Sequence, residues 1–143
     1  MTTSNFIGDA FEMAAECGFV NALLAGHIGK LIKLAGGIFN THSRYGDCRM
    51  EIFAAHAGMC GAPADMVRRI MDSAMTDDML AILDEAGQRQ TAMASVMERM
   101  DFQLTHRPVG SMRVGAATFS NVHGILGKTA SADEILEQIR KEY

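Results

Sequence analysis

The chain has 143 residues, 48% of them hydrophobic and 21% charged, with 13 basic against 17 acidic side chains for a net charge of -4. That length supports one domain, which buries roughly two-thirds of the surface its unfolded form would expose. No apolar run approaches the roughly 20 residues that cross a bilayer, and neither charge sign forms a block suited to a phosphate backbone, which argues against membrane and nucleic-acid partners.

The three cysteines, Cys17, Cys48 and Cys60, are odd in number, lack CxxC spacing and follow no secretory signal. Reduced thiols and a cytoplasmic location are expected. Twelve methionines at helical spacings read as core filling rather than as a Met-lined surface.

The first helix is predicted over residues 6–17, capped by Ser4 or Asn5, with Ile7, Ala10, Phe11 and Ala14 on one stripe and Gly18 ending it. FVNALLA, residues 19–25, is short, apolar and bounded by glycines, which predicts a strand covered on both faces. GHIGK turns the chain into a helix that starts near Gly29, carries Leu31, Ile32 and Ala35, and stops at Gly36-Gly37. A polar stretch follows, and a largely buried helix begins near Gly46 or Asp47 with Met50, Phe53, Ala54 and Ala57 aligned.

Three further helices start at Pro63, at Thr76 and ahead of Met93, Val96, Met97 and Met100, with Gly87 between the last two. Arg107-Pro108 breaks the pattern, residues 112–120 read as a second strand, and FSNVHGILG reads as a glycine-rich loop. A last helix opens on a Ser131 and Glu134 capping box. The whole predicts an α/β fold, a single helix-rich domain of residues 1–143 in Rossmann-like layers around a small, mostly parallel sheet.

Three stretches can carry chemistry. GHIGK offers Gly26, His27, Gly29 and Lys30 at the carboxyl end of a strand and the amino end of a helix, where open α/β sheets bind ligands and free N–H groups attract anions. It lacks the GxxxxGK[ST] and GxGxxG patterns, so a tight turn with a solvated Lys30 is the competing reading. The second is Asn40, Thr41, His42, Ser43 and Arg44 ahead of Asp47, Arg49 and Glu51, either turn and cap residues or a network that positions a ligand or a catalytic histidine. The third is the loop with Ser120, Asn121, His123, Gly124 and Gly127; if the two strands are parallel neighbours it faces GHIGK across one crevice. His56, on an apolar helix face, reads as a satisfied core residue. No spacing suits zinc, so no protein-bound metal is expected.

GHIGKLIKLAGGIFNTHSRYGDCRMEIFAAHA, with SNFIGDAFEMAAECGF before it and FSNVHGILGKT after it, closely resembles the carboxyl-terminal part of the cobalt-precorrin-5B C(1)-methyltransferase (CbiD) family of cobalamin biosynthesis. The family pattern is N-T-H-S-x-x-A-D-x-R, and Gly46 stands here where alanine is usual. The resemblance implies transfer of a methyl group from S-adenosylmethionine to ring carbon 1 of a cobalt-corrinoid small molecule. His42, with Asp47 or Arg49 as orienting partners, would then serve protonation or carboxylate binding. Lys30, Arg44 and Arg49 would pair with the carboxylates of the macrocycle. The remaining strand-end residues, Gly26, His27, Gly29, Ser120, Asn121 and Gly124, and the turn residues Asn40, Thr41 and Ser43 would bind substrate or donor. Family members are more than twice as long, so the resemblance also implies an amino-terminal region missing here or supplied by a second chain. A non-catalytic corrinoid-binding or assembly module is the alternative, and a homo-oligomer stays open.

Overall fold

A computed structural model describes residues 1–107 and 110–142. In chain order the elements are α1 (Ile7–Glu16), β1 (Asn21–His27), α2 (Ile28–Ala35), α3 (Arg49–Met59), α4 (Ala64–Met71), α5 (Thr76–Glu85), α6 (Arg89–His106), β2 (Arg113–Ser120), β3 (Gly124–Lys128) and α7 (Ala130–Glu142), with one 3-10 turn at Ser43–Tyr45. The α/β class holds. Of the expected break at Arg107-Pro108, Pro108 lies outside the described residues; Arg107 is the cap of α6 and has left helical geometry.

The sheet has three strands in the order β1-β2-β3. β1 and β2 are parallel, with Asn21 opposite Arg113 and His27 opposite Phe119, whereas β2 and β3 are antiparallel. The sheet is therefore mixed rather than mostly parallel. The expected loop at residues 119–127 is a hairpin whose second strand is β3. Its two glycines read as a loop, yet each has a structural cause. Gly124 has φ +68 at the start of the strand, and a Cβ on Gly127 would lie 2.7 Å from Met97 Cγ on α6.

The pleat sends alternate side chains to opposite faces. Leu24 and Gly26 face α2, where a Cβ on Gly26 would meet Leu31, and Gly115 faces α7, where a Cβ would come within 2.8 Å of Ala132 Cα. The core between the sheet and α2 to α6 contains Ile28, Leu31, Ile32, Phe53, Ile70, Leu80, Leu83, Met93 and Met100. Met66, Met79, Met97 and Met112 are buried with them, whereas Met13, Met59, Met71 and Met75 are exposed, so only part of the methionine set fills the core.

Several boundaries differ from expectation. β1 starts two residues late, because Phe19 and Val20 sit in the turn after α1 and are exposed. Only Leu24 of β1 is buried and Ala25 is exposed, so the strand is not covered on both faces as expected, and it is also an edge strand. Neither Ser4 nor Asn5 caps α1, whose N-cap is Phe6; the Asn5 side chain instead accepts a hydrogen bond from the Thr41 hydroxyl. The Ser131 and Glu134 capping box does not form, since α7 begins at Ala130 and Ser131 already lies inside the helix. There Ser131 donates to the Val114 carbonyl and Glu134 pairs with Arg113.

Candidate functional site

β1 runs straight into α2, with His27 as the last strand residue and the N-cap of the helix. Its ring Nδ1 accepts from the Gly29 N–H at 3.0 Å, satisfying one of the free amides of the first helical turn. This fixes the tautomer, so Nε2 carries the proton. The ring also meets Phe119 of β2 edge to face, with centroids 6.0 Å apart. Below it the Thr118 hydroxyl donates to the Gly26 carbonyl at 3.1 Å.

The expected parallel adjacency is present, and it brings the β2–β3 turn beside this helix start. Ser120 is buried, and its Oγ accepts from the His123 N–H at 2.9 Å, closing the turn that presents Asn121 to solvent. His123 Nδ1 lies 3.6 Å from Asp84 Oδ2 on α5. Lys30 is exposed on the first turn of α2.

Sequence reading missed the contribution of α5. Thr76 is buried at its start, and Thr76 Oγ1 lies 3.2 Å from where a Cβ on Gly29 would be. A side chain at 29 would press on both His27 and Thr76, so glycine there eases the close approach of the two helix starts. In the same turn Asp77 Oδ1 is buried with no hydrogen-bond partner among the described residues. The T-D-D start of α5 signals a helix amino end, but nothing local signals that it abuts α2. Met75 at the α5 start, Phe119 beside His27 and Val122 in the β2–β3 turn are exposed apolar side chains.

The other expected site residues form a second group. α2 carries the chain away from the strand ends for eight residues, about 12 Å. Beyond it Thr41 is buried, with its N–H donating to the Asn5 carbonyl and its carbonyl accepting from the buried Lys33 ammonium at 3.0 Å. Asn40 Oδ1 accepts from the His42 N–H and His42 Nδ1 accepts from the Arg44 N–H, so successive side chains fold the segment into turns. His42, Ser43 and Arg44 are exposed.

α3 starts at Arg49, two or three residues after the expected start near Gly46 or Asp47, and Asp47 caps it from outside. Asp47 Oδ1 accepts from the Arg49 N–H at 3.4 Å, and both carboxylate oxygens take the Arg49 guanidinium at 2.7 Å. The Arg49 hydrogen bonds hold the Asp47 carboxyl below the usual carboxylate range, and the same pairing raises Arg49. These two side chains bind each other, and His42 is oriented by its own turn. His56 lies on the inner side of α3 with Nδ1 2.7 Å from Ser95 Oγ, a satisfied core histidine as expected.

A family model described as CbiD, C-terminal domain, matches residues 40–130. The chain belongs to the CbiD family. It is 39% identical over 144 residues to the cobalt-precorrin-5B C(1)-methyltransferase of Ruminiclostridium cellulolyticum, covering 97% of this chain and 38% of that protein. The proteins of the same name from Alkaliphilus metalliredigens and Methanobrevibacter smithii are 33% and 51% identical, over 97% and 58% of this chain respectively, and the matches cover 37% and 23% of those proteins. The chain thus spans little more than a third of the length of the curated relatives it matches. No solved structure matches it. The CbiD match takes in the 40–49 group and the β2–β3 turn, while GHIGK precedes it. Among the described residues no helix is long and apolar enough to cross a membrane.

Proposed function

We propose that this chain is the carboxyl-terminal part of a cytoplasmic enzyme that methylates cobalt-precorrin-5B at C-1, with S-adenosylmethionine as donor, and that its strand-end loops line the reaction site. The observation that carries this reading is the meeting of the α2 start and the β2–β3 turn at the carboxyl ends of a parallel strand pair, with the α5 start packed against Gly29, in a chain of the CbiD family. Open α/β sheets bind ligands at that end.

Methyl transfer between a sulfonium and a carbon asks the protein mainly to hold donor and acceptor in line. The first-turn amides of α2, the Asn121 side chain and the proton on His27 Nε2 supply donors for the polar parts of S-adenosylmethionine. Met75, Phe119 and Val122 give the apolar rim that the face of a macrocycle needs. Carboxylates on the periphery of that macrocycle pair with Lys30 at one end of α2 and with Arg44 at the other, while His42 takes or returns a proton on the ring system. Arg49 joins only when a ligand carboxylate competes with Asp47.

The test is calorimetric titration of the 143-residue protein with S-adenosylhomocysteine. Saturable binding that is lost in Asn121→Ala and kept in His42→Ala supports a donor site on the strand-end loops. No binding by the folded protein removes the donor from these loops. A non-catalytic corrinoid-binding or assembly module instead predicts corrinoid binding with no turnover when the amino-terminal region of a relative is supplied.

A further inference from the structure

The two edges of the sheet are built differently. β3 has five residues, a register shift opposite Thr118 and Phe119, and ends on Lys128 in an ion pair with Asp133. Shortness, irregularity and an edge lysine are the usual devices that stop a strand from pairing further. β1 has none of them: its seven residues, NALLAGH, contain no lysine, no proline and no irregularity in the ladder.

The alternation of the ladder identifies which groups are left over. The Arg113 N–H donates to the Val20 carbonyl at 2.9 Å, so Val20, Ala22, Leu24 and Gly26 direct their main-chain groups to β2. Asn21, Leu23 and Ala25 therefore direct theirs outward. Among the described residues no hydrogen bond from outside the sheet reaches the main chain of Leu23 or Ala25.

This edge opens on a groove of about 660 Å³, walled by Ile7, Phe11 and Ala14 of α1, by β1 itself and by Leu31 of α2. Residues 1–4 run along it, and it ends at His27 and Lys30. Phe19 and Val20, 63% and 66% exposed, extend the apolar surface at the other end. An unpaired main-chain edge beside an apolar trough accepts an extended segment with alternate apolar side chains.

We propose that β1 is an internal strand of the complete CbiD sheet, paired with an extended apolar segment of the amino-terminal region that the longer relatives possess. The length decides the occupant: the relatives carry more than half their residues outside the matched part, and β1 lies ahead of residues 40–130, which match the carboxyl-terminal domain. A strand seated here would also wall the site at His27 and Lys30. The inference rests on family membership and not on the methyl-transfer reading, since it concerns folding and pairing alone.

The test uses the amino-terminal region of the Ruminiclostridium cellulolyticum relative, both as a separate protein mixed with this chain and fused ahead of Met1. Sedimentation velocity should show a one-to-one complex, and hydrogen exchange at the Leu23 and Ala25 amides should slow in both forms, with the β2-bonded Ala22 and Leu24 amides slow throughout. Ala25→Pro removes one outward N–H without touching the β2 ladder, and should weaken the complex about tenfold; Asn21→Pro does the same from the other end. A folded fusion in which Leu23 and Ala25 exchange as in the isolated chain overturns the proposal. So does self-association of this chain alone that protects the same two amides, because the occupant would then be a second copy. A complex protected only elsewhere overturns it as well.

Discussion

Burial on α3 holds the His56 imidazole below its ordinary pKa of 6.5, and the nearby Arg99 cation pushes in the same direction. The folded chain therefore resists a proton that the unfolded chain accepts. As pH falls below about 6.5, folding stability drops, by at most about 1.4 kcal/mol per pH unit for this single group, until the lowered pKa is reached. Urea denaturation between pH 7.5 and pH 5 should show this slope reduced in His56→Gln. An unchanged slope would mean that the ring charges while buried. Asp47 runs the other way. Its pKa lies below the ordinary 3.8, so the stability it contributes is complete above that value and is lost as pH falls through the folded value. Asp47→Ala should cost about 1 kcal/mol at pH 7, since the pair is bidentate and only partly exposed, and the difference from the parent should vanish in acid.

Two glycines on the sheet separate the cost of a backbone obstacle from that of a side-chain obstacle. A Cβ on Gly115 would sit 2.8 Å and 2.9 Å from the Ala132 Cα and N, so α7 must move as a body. On Gly127 the obstacle is the Met97 side chain, which has rotamers to spare. Gly115→Ala should cost about 2–3 kcal/mol and Gly127→Ala about 1 kcal/mol or less in urea denaturation; equal costs would mean that α7 is loosely held. The same pair explains what was legible in sequence at this scale. Helices α2 to α6 follow from apolar repeats of 3.6, a signal that packing reinforces. β3 is hidden because Gly127 answers to Met97 of α6, thirty residues upstream, while Gly124 answers to its own positive φ. The caps failed for a related reason: Asn5 and Ser131 bond to Thr41 and to Val114, distant partners that outbid the local amide.

Across the whole molecule, sequence located the polar stretches but could not say that α2 holds them apart. GHIGK and the β2–β3 turn meet because β1 and β2 are parallel neighbours, and the α5 start joins them only through the tertiary approach of Thr76 to Gly29. Residues 40–49 lie past the other end of α2, anchored by Lys33 and Asn5. This separation has an energetic signature. Groups that share no partner and lie farther apart than about 7–10 Å contribute independently, whereas groups in contact do not. In urea denaturation the effects of His42→Ala and Asn121→Ala should therefore sum to that of the double variant within about 0.5 kcal/mol. Asp47→Ala and Arg49→Ala should fall short of additivity by about 1 kcal/mol, because either change alone already breaks the bidentate pair. Coupling between His42 and Asn121 as large as that between Asp47 and Arg49 would mean that α2 transmits strain from one polar group to the other.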